Sequence, residues 1–111
     1  MSKAGDITML QLISPMQLQR LAGETSYSRG VEYFDEGRVG DVHLKGNCIH
    51  ATVRGSRTYR VELSNEAGEI SHSCTCPFFQ DTMAFCKHCV ATGLAFLHAN
   101  EVDGGASMRK V

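Results

Sequence analysis

The sequence predicts a small α+β protein with two N-terminal helices, a small antiparallel β-meander and a C-terminal helix clamped by a cysteine cluster. Up to Glu36, hydrophobic residues recur at helical spacing, and from Arg38 they alternate with polar residues. Four of the five cysteines lie between Cys74 and Cys89, directly before a second helical pattern. These three observations fix the order of the predicted elements.

Two helices are expected before the sheet. Ser14 can cap the first helix, Pro15 suits its first position, and Gln17 completes a capping box. The second helix should run from about Ser26 to Glu36 and be amphipathic. Its aromatic stripe is more simply explained by core packing than by a binding groove.

The alternating segment predicts four strands with one apolar face. Val42 and Leu44 belong to the first, Ile49 to Val53 to the second, and the third carries Tyr59. A short fourth strand leads into the cysteines. Turns are expected at Gly46-Asn47, Gly55-Ser56 and Asn65 to Gly68.

The cysteine-rich segment has the spacing of a metal site. Cys74-x-Cys76 and Cys86-x-His88 form two short ligand pairs joined by a loop, as a closed tetrahedral zinc site requires. Two thiolates on one zinc need a bend at Thr75, because alternate strand residues lie too far apart. Residues two apart do not share a helix face, so Cys86 should precede the helix and His88 should lie in its first turn. The site would thus produce a zinc-clamped C-terminal helix.

The residues of this segment also allow other interpretations. Cys89 is either the fourth ligand in place of His88, since it lies within one turn of Cys86, or a small buried residue on the core face of the helix. Lys87 either offsets the charge of the site or is a solvated residue at the helix start. A catalytic cysteine is disfavoured because no Asp or Asn is arranged to orient His88. The spacing fits no common iron–sulfur pattern.

The Cys-x-Cys…Cys-x-His pattern at Cys74, Cys76, Cys86 and His88 resembles that of the SWIM zinc finger. In all, the resemblance covers roughly residues 26 to 99 and includes segments before the cysteines. The upstream segments are Ser28-Arg29-Gly30, Tyr33, Gly37-Arg38-Val39, Ala51 to Ser56 and Tyr59-Arg60-Val61. It implies a zinc ion held by the four residues, and a role in nucleic-acid binding or protein–protein contacts. Cys89 is a fifth candidate ligand beyond that pattern, and the resemblance favours Cys89 as a buried core residue.

Composition limits the remaining possibilities. The chain has 111 residues and a formal net charge of −1, so any nucleic-acid contact must come from a local basic patch. Neither a signal peptide nor a membrane span is expected, and reduced thiols fit a cytoplasmic protein, or a nuclear one in a eukaryote. We expect a monomer with a single SWIM-type domain over residues 13–99. Residues 1–12 are expected to be a flexible leader and residues 100–111 a flexible tail.

Arg54, Arg57 and Arg60 surround one predicted turn and form the candidate phosphate-binding patch. An ordinary solvated sheet face is the competing explanation. The sequence therefore predicts a non-enzymatic zinc module that binds nucleic acid, DNA rather than RNA, within or beside a larger assembly. No small-molecule substrate is expected. The alternative is a protein–protein interaction module with a purely structural zinc.

Overall fold

A computed structural model describes residues 9–101, with the side chain of residue 101 excluded. Five helices and four strands follow one another in the described part, which confirms the predicted α+β class. In chain order they are α1 (Met9–Leu12), α2 (Pro15–Ala22), α3 (Glu24–Asp35), β1 (Val39–Lys45), β2 (Cys48–Arg54), β3 (Thr58–Glu66), β4 (Glu69–Cys74), α4 (Pro77–Thr82) and α5 (Lys87–Glu101).

The start of α2 follows the predicted capping pattern. The Ser14 hydroxyl accepts a hydrogen bond from the Gln17 amide at 3.1 Å, and Pro15 occupies the first turn. Gly23 ends α2 with a φ of 87°, a conformation that favours glycine. The Gly23 carbonyl accepts the Tyr27 amide at 2.9 Å, so α3 begins at Glu24, slightly earlier than predicted.

The four strands form one antiparallel sheet in the order β1-β2-β3-β4, the predicted meander. On the core face of the two central strands, Ile49, Val53, Val61 and Leu63 are almost fully buried. The opposite face carries exposed or half-buried side chains, among them His50. This one-sided burial is what the alternating sequence predicts.

The long helix α5 packs against α3 and against the core face of the sheet. Gly30 of α3 makes this approach possible: a Cβ atom added there would lie 2.4 Å from the Val90 Cβ. Gly93 has the same function towards α2, since its Cβ would lie 2.7 Å from a methyl carbon of Leu18. The N-terminal helices are thereby held against α5.

Two short helices lie where the sequence predicted none. Residues 9–12, assigned to the leader, form α1, because Met9 and Ile13 are apolar enough to join the core, with 3% and 2% exposure. The metal loop contains α4, whose first turn is capped by Cys76 and started by Pro77. Helix α5 continues to Glu101, and the remainder of the expected leader and tail lies outside the described residues.

Replacing Gly30 with alanine tests the close contact of α3 with α5. Ala is favoured over Gly in a helix by about 1 kcal/mol, yet we expect Gly30→Ala to lower the free energy of unfolding by about 1–3 kcal/mol through overpacking. Urea unfolding of the zinc-loaded protein measures this. Gly40→Ala is the control, because its Cβ would meet only an ordinary contact at 3.5 Å. Equal urea midpoints for Gly30→Ala and the wild type would contradict the close contact between α3 and α5.

Candidate metal centre

Four predicted ligand side chains converge where the sheet meets α5. Cys74 ends β4, Cys76 caps α4, Cys86 immediately precedes α5, and His88 lies in the first turn of α5. All four are buried, with exposures of 1% for each cysteine and 4% for the histidine. One donor atom of each lies within 4.8 Å of the others. The expected positions of Cys86 and His88 relative to the helix start are confirmed.

The bend between the first two cysteines is held by pairing across the sheet. The Thr75 amide donates to the Arg60 carbonyl at 3.1 Å, and the Thr75 hydroxyl accepts the Arg60 amide at 3.0 Å. The Thr75 side chain therefore replaces a backbone partner at the end of β4. This lets the chain turn away while both Cys74 and Cys76 point to the cluster.

His88 is oriented by aromatic neighbours. Its ring centroid lies 5.4 Å from that of Tyr33 and 4.8 Å from that of Tyr59. Its Nδ1 atom lies 3.7 Å from the Cys74 sulfur and 3.8 Å from the Cys86 sulfur. The roles of the two tyrosines were missed in the sequence because their distance from His88 depends on how α3 and β3 pack.

The donor set fits zinc. Ligand atoms on tetrahedral zinc lie roughly 3.5–3.8 Å apart, and the His88 nitrogen already lies at that distance from two sulfurs. Within the described residues, His88 Nε2 is buried and has no hydrogen-bond partner. The other ring nitrogen, Nδ1, faces the Cys74 and Cys86 sulfurs and is the candidate donor to a metal. Mixed thiolate–imidazole donors of this kind suit zinc.

The thiols influence one another's protonation. A hydrogen bond shared with Cys86, together with burial, raises the pKa of Cys74 above its ordinary value, whereas burial is the main cause of the raised pKa of Cys76. Hydrogen bonds from Cys74 and then Cys89 lower the pKa of Cys86. These shifts favour a thiolate at Cys86 and protonated thiols at Cys74 and Cys76. Zinc needs all its sulfur ligands as thiolates.

Cys89 and Lys87, whose roles the sequence leaves open, both lie beside the cluster. Cys89 is fully buried in the core, and its sulfur is in hydrogen-bond contact with the Cys86 sulfur at 3.7 Å, so it supports a candidate ligand from the helix side. The Lys87 ammonium lies 5.3 Å from the centroid of the Tyr33 ring. Lys87 is therefore half-buried against an aromatic face rather than freely solvated.

His72 holds the metal loop in place. Its Nε2 atom is 3.1 Å from the Met83 carbonyl oxygen, and its ring makes edge contacts with Phe79 and Phe85. Its contact is thus to the loop backbone, not to a sulfur. Phe79 packs against the core cluster, whereas Phe78 is 49% exposed. The two adjacent phenylalanines therefore have different environments.

A cleft of about 520 Å³ borders the cluster. Cys76, Cys86 and His88 form part of its wall, and Arg29, Lys87 and Phe78 line it as well. We call it the zinc-side cleft. The predicted phosphate contacts Arg54, Arg57 and Arg60 are all exposed around the β2–β3 hairpin. Within that hairpin, Ser56 and Tyr59 line the cleft.

The comparison with protein families agrees with this geometry. Residues 59–92 match the model of the SWIM zinc finger family. The match contains the whole Cys/His cluster and confirms the resemblance over that segment, while the upstream part of the proposed resemblance lies outside it. No curated protein and no solved structure shows a significant match to the chain. Residues 59–92 are therefore similar to the SWIM zinc finger family, and the Cys/His cluster that they contain supports zinc as the cofactor.

Among residues 9–101, no helix has both the length and the apolar character needed to cross a membrane. Helix α5 is the longest in this part of the chain and reaches from Lys87 to Glu101.

Alanine substitutions should separate His88 from Cys89. We expect His88→Ala to lose zinc affinity and fold poorly, because Nδ1 is directed at the sulfurs. Cys89→Ala should keep one zinc per chain and lose about 1–3 kcal/mol of stability through its buried cavity and lost hydrogen bond. Elemental analysis and thermal unfolding measure both. Zinc loss in Cys89→Ala with retention in His88→Ala would mean that Cys89 is the ligand.

Zinc affinity should rise with pH. The pKa values of Cys74 and Cys76 lie above their ordinary value in the metal-free protein, so zinc must displace their protons. The apparent association constant should therefore increase between about pH 6.5 and about pH 8. Competition with a chromophoric chelator, corrected for the chelator's own protonation, measures it. An affinity independent of pH over this range would contradict protonated thiols.

Proposed function

We propose that Cys74, Cys76, Cys86 and His88 hold a structural zinc ion, and that the zinc finger binds nucleic acid along the zinc-side cleft. The single observation that carries the second part is the composition of the cleft. It combines an exposed aromatic ring with two cationic side chains, and none of its lining residues is acidic. Single-stranded nucleic acids are bound by such combinations of cations and stacking surfaces.

The cations and the aromatic ring have separate tasks. Arg29 enters the cleft from α3 and Lys87 from the start of α5, so phosphates can be contacted from two sides. Phe78, in the first turn of α4, has a half-exposed ring on which a base can stack. Hydroxyl groups of Ser26 and Ser56 add hydrogen-bond partners for phosphate or sugar oxygens.

The hairpin arginines extend this basic surface. Arg54 ends β2, Arg57 lies in the turn, and Arg60 follows in β3. Arg38 also lies beside the hairpin, since its guanidinium donates to the Arg54 carbonyl at 3.1 Å. The turn is continuous with the cleft through Ser56. A strand leaving the cleft would meet Arg57 at the turn and would have to pass round the hairpin to reach Arg54 and Arg60, which lie on the outer face of the sheet.

A non-enzymatic role accords with the proposed ligand set. Four protein ligands complete a tetrahedral zinc, so no position remains for a substrate or a reactive water. The overall charge of −1 provides no long-range attraction to a polyanion. Binding should therefore be of modest affinity and depend on local contacts. We favour DNA as the ligand, in a cytoplasmic or nuclear setting.

Protein binding is the second candidate function. The specific observation that favours it is exposed apolar surface on the metal loop, where Met83 is 65% exposed next to the half-exposed Phe78 of α4. Exposed apolar side chains mark an interaction site when they form a contiguous patch. The cleft combines two cations with an aromatic ring, whereas the exposed apolar surface consists of two side chains, so nucleic acid is the leading proposal.

Substituting Arg54, Arg57 and Arg60 together with glutamine tests the phosphate contacts. We expect binding of DNA oligonucleotides to weaken, and the slope of log K against log salt to fall by about 0.7–0.9 for each lost contact. Fluorescence anisotropy over a salt series measures this. Zinc content and melting temperature should change little, because exposed charges contribute little to stability. Arg20→Gln, an exposed arginine on α2, is the matched control.

Phe78→Ala tests the stacking surface. Loss of one base-stacking contact should weaken single-stranded DNA binding by about 1–3 kcal/mol and affect duplex binding less. Met83→Ala, also exposed on the metal loop, is the control. A protein-docking module would instead show no oligonucleotide binding at low salt. Absence of binding to single- and double-stranded DNA and RNA under those conditions would overturn the nucleic-acid proposal.

A further inference from the structure

A second group of metal-ligating side chains lies on the face of the sheet opposite the core. Cys48 and His50 are two residues apart in β2, and Glu62 is directly opposite His50 in β3. One donor atom of each lies within 4.8 Å of the others. We call this group the outer-face cluster. It involves none of the four zinc-finger ligands.

Strand register produces this grouping. Alternate residues of a strand share a face, so Cys48 and His50 point away from the core while Ile49 between them is fully buried. Pairing of β2 with β3 then places Glu62 beside His50, with the His50 Nδ1 atom 3.5 Å from a Glu62 carboxylate oxygen. That separation already equals the distance between two ligands of one tetrahedral metal, roughly 3.5 Å.

The imidazole is held in place from β1. The His43 ring stacks on His50 with centroids 5.4 Å apart and planes 17° from parallel. The His43 Nδ1 atom lies 2.9 Å from the Asp41 carbonyl oxygen, which anchors this second ring. A pocket of about 140 Å³ next to the rings is lined by His43, His50 and Glu62. The outer-face cluster therefore has an oriented imidazole and adjoining open space.

The donor types define the class of metal. A thiolate, an imidazole and a carboxylate together suit borderline divalent ions such as zinc and cobalt(II), and are a poor set for magnesium or calcium. Cys48 and His50 are half-buried and Glu62 is exposed, so small side-chain rotations can draw the three donors onto one ion. The alternative is an ordinary surface ion pair between His50 and Glu62. That alternative gives no role to Cys48, whose sulfur lies within the same group of donor atoms.

We propose that the outer-face cluster is a second, weaker binding site for a zinc-class divalent ion, with Cys48, His50 and Glu62 as its ligands. Three protein ligands leave a fourth coordination position for water or another donor. Lys45 lies opposite Cys48, and Arg60 lies two residues before Glu62 on the same face. Repulsion between these two cations and a bound metal ion lowers the metal affinity of the outer-face cluster. The zinc finger should therefore fill first.

Cobalt(II) is the probe, since cobalt–thiolate absorption reports ligation by a cysteine. The full chain is first loaded with one equivalent of zinc under reducing conditions and then titrated with cobalt(II). We expect thiolate charge-transfer and visible absorption to rise with one cobalt per chain. Cys48 is then the only cysteine outside the proposed zinc ligands and the buried Cys89.

Variants decide which residues hold the ion. Loss of an outer-sphere partner alone costs about 10- to 100-fold in metal affinity, so Cys48→Ser and His50→Ala should lower cobalt affinity at least that much. Cys48→Ser should also abolish the charge-transfer band. Ser64→Ala, directly opposite Cys48 but outside the cluster, should bind cobalt as the wild type does.

In every variant, uptake of the first equivalent of zinc shows that the zinc finger is folded. The proposal is overturned if the zinc-loaded wild type takes up no cobalt. It is equally overturned if cobalt absorption persists undiminished in Cys48→Ser, or if Cys89→Ala rather than Cys48→Ser removes it. Exchange of cobalt into the zinc finger is recognised by release of zinc, which a chromophoric chelator detects. Zinc release matching cobalt uptake would also contradict a second site.

Discussion

The fold depends on the burial of three thiols and an imidazole at one junction. Cys74 belongs to the end of the sheet, whereas Cys86 and His88 belong to the start of α5. At this junction a hydrogen bond with Cys86 and burial raise the pKa of Cys74, and burial raises the pKa of Cys76, so several thiolates are unfavourable there unless a cation is bound. A zinc ion would stabilise the thiolates and cross-link the sheet to the helix. In a chain of 111 residues, such a cross-link supplements a limited core.

The same junction shapes the proposed binding surface. Lys87 lies between two ligands in the sequence, and Phe78 lies two residues after Cys76, so both are positioned by the metal cluster. Arg29 reaches the same cleft because Gly30 lets α3 approach α5 closely. Metal binding, helix packing and the cleft are therefore parts of one arrangement. The outer-face cluster lies on the other side of the sheet and is independent of this arrangement.

The sequence predicted the parts of the structure that depend on local spacing. The ligand pairs, the cap of α2 and the change to a period of two are all visible within a few residues. Helix α4 was missed because its cap is the Cys76 sulfur, which accepts the Phe79 amide at 3.4 Å, and cysteine is not a usual capping residue. The packing of Tyr33 and Tyr59 on His88 depends on tertiary contacts. The outer-face cluster could have been found from the predicted hairpin, whose register pairs His50 with Glu62.

The central claim is that zinc holds α5 against the sheet. Amide hydrogen exchange of the full chain, measured with zinc bound and after its removal by a chelator in reducing buffer, tests this most directly. With zinc, the amides of α5 around Val90 should be among the most protected, since this part of the helix is fully buried. Without zinc, protection should be lost throughout α5 and at the Cys74 end of β4. Unchanged protection of α5 in protein verified to contain no metal would contradict the account.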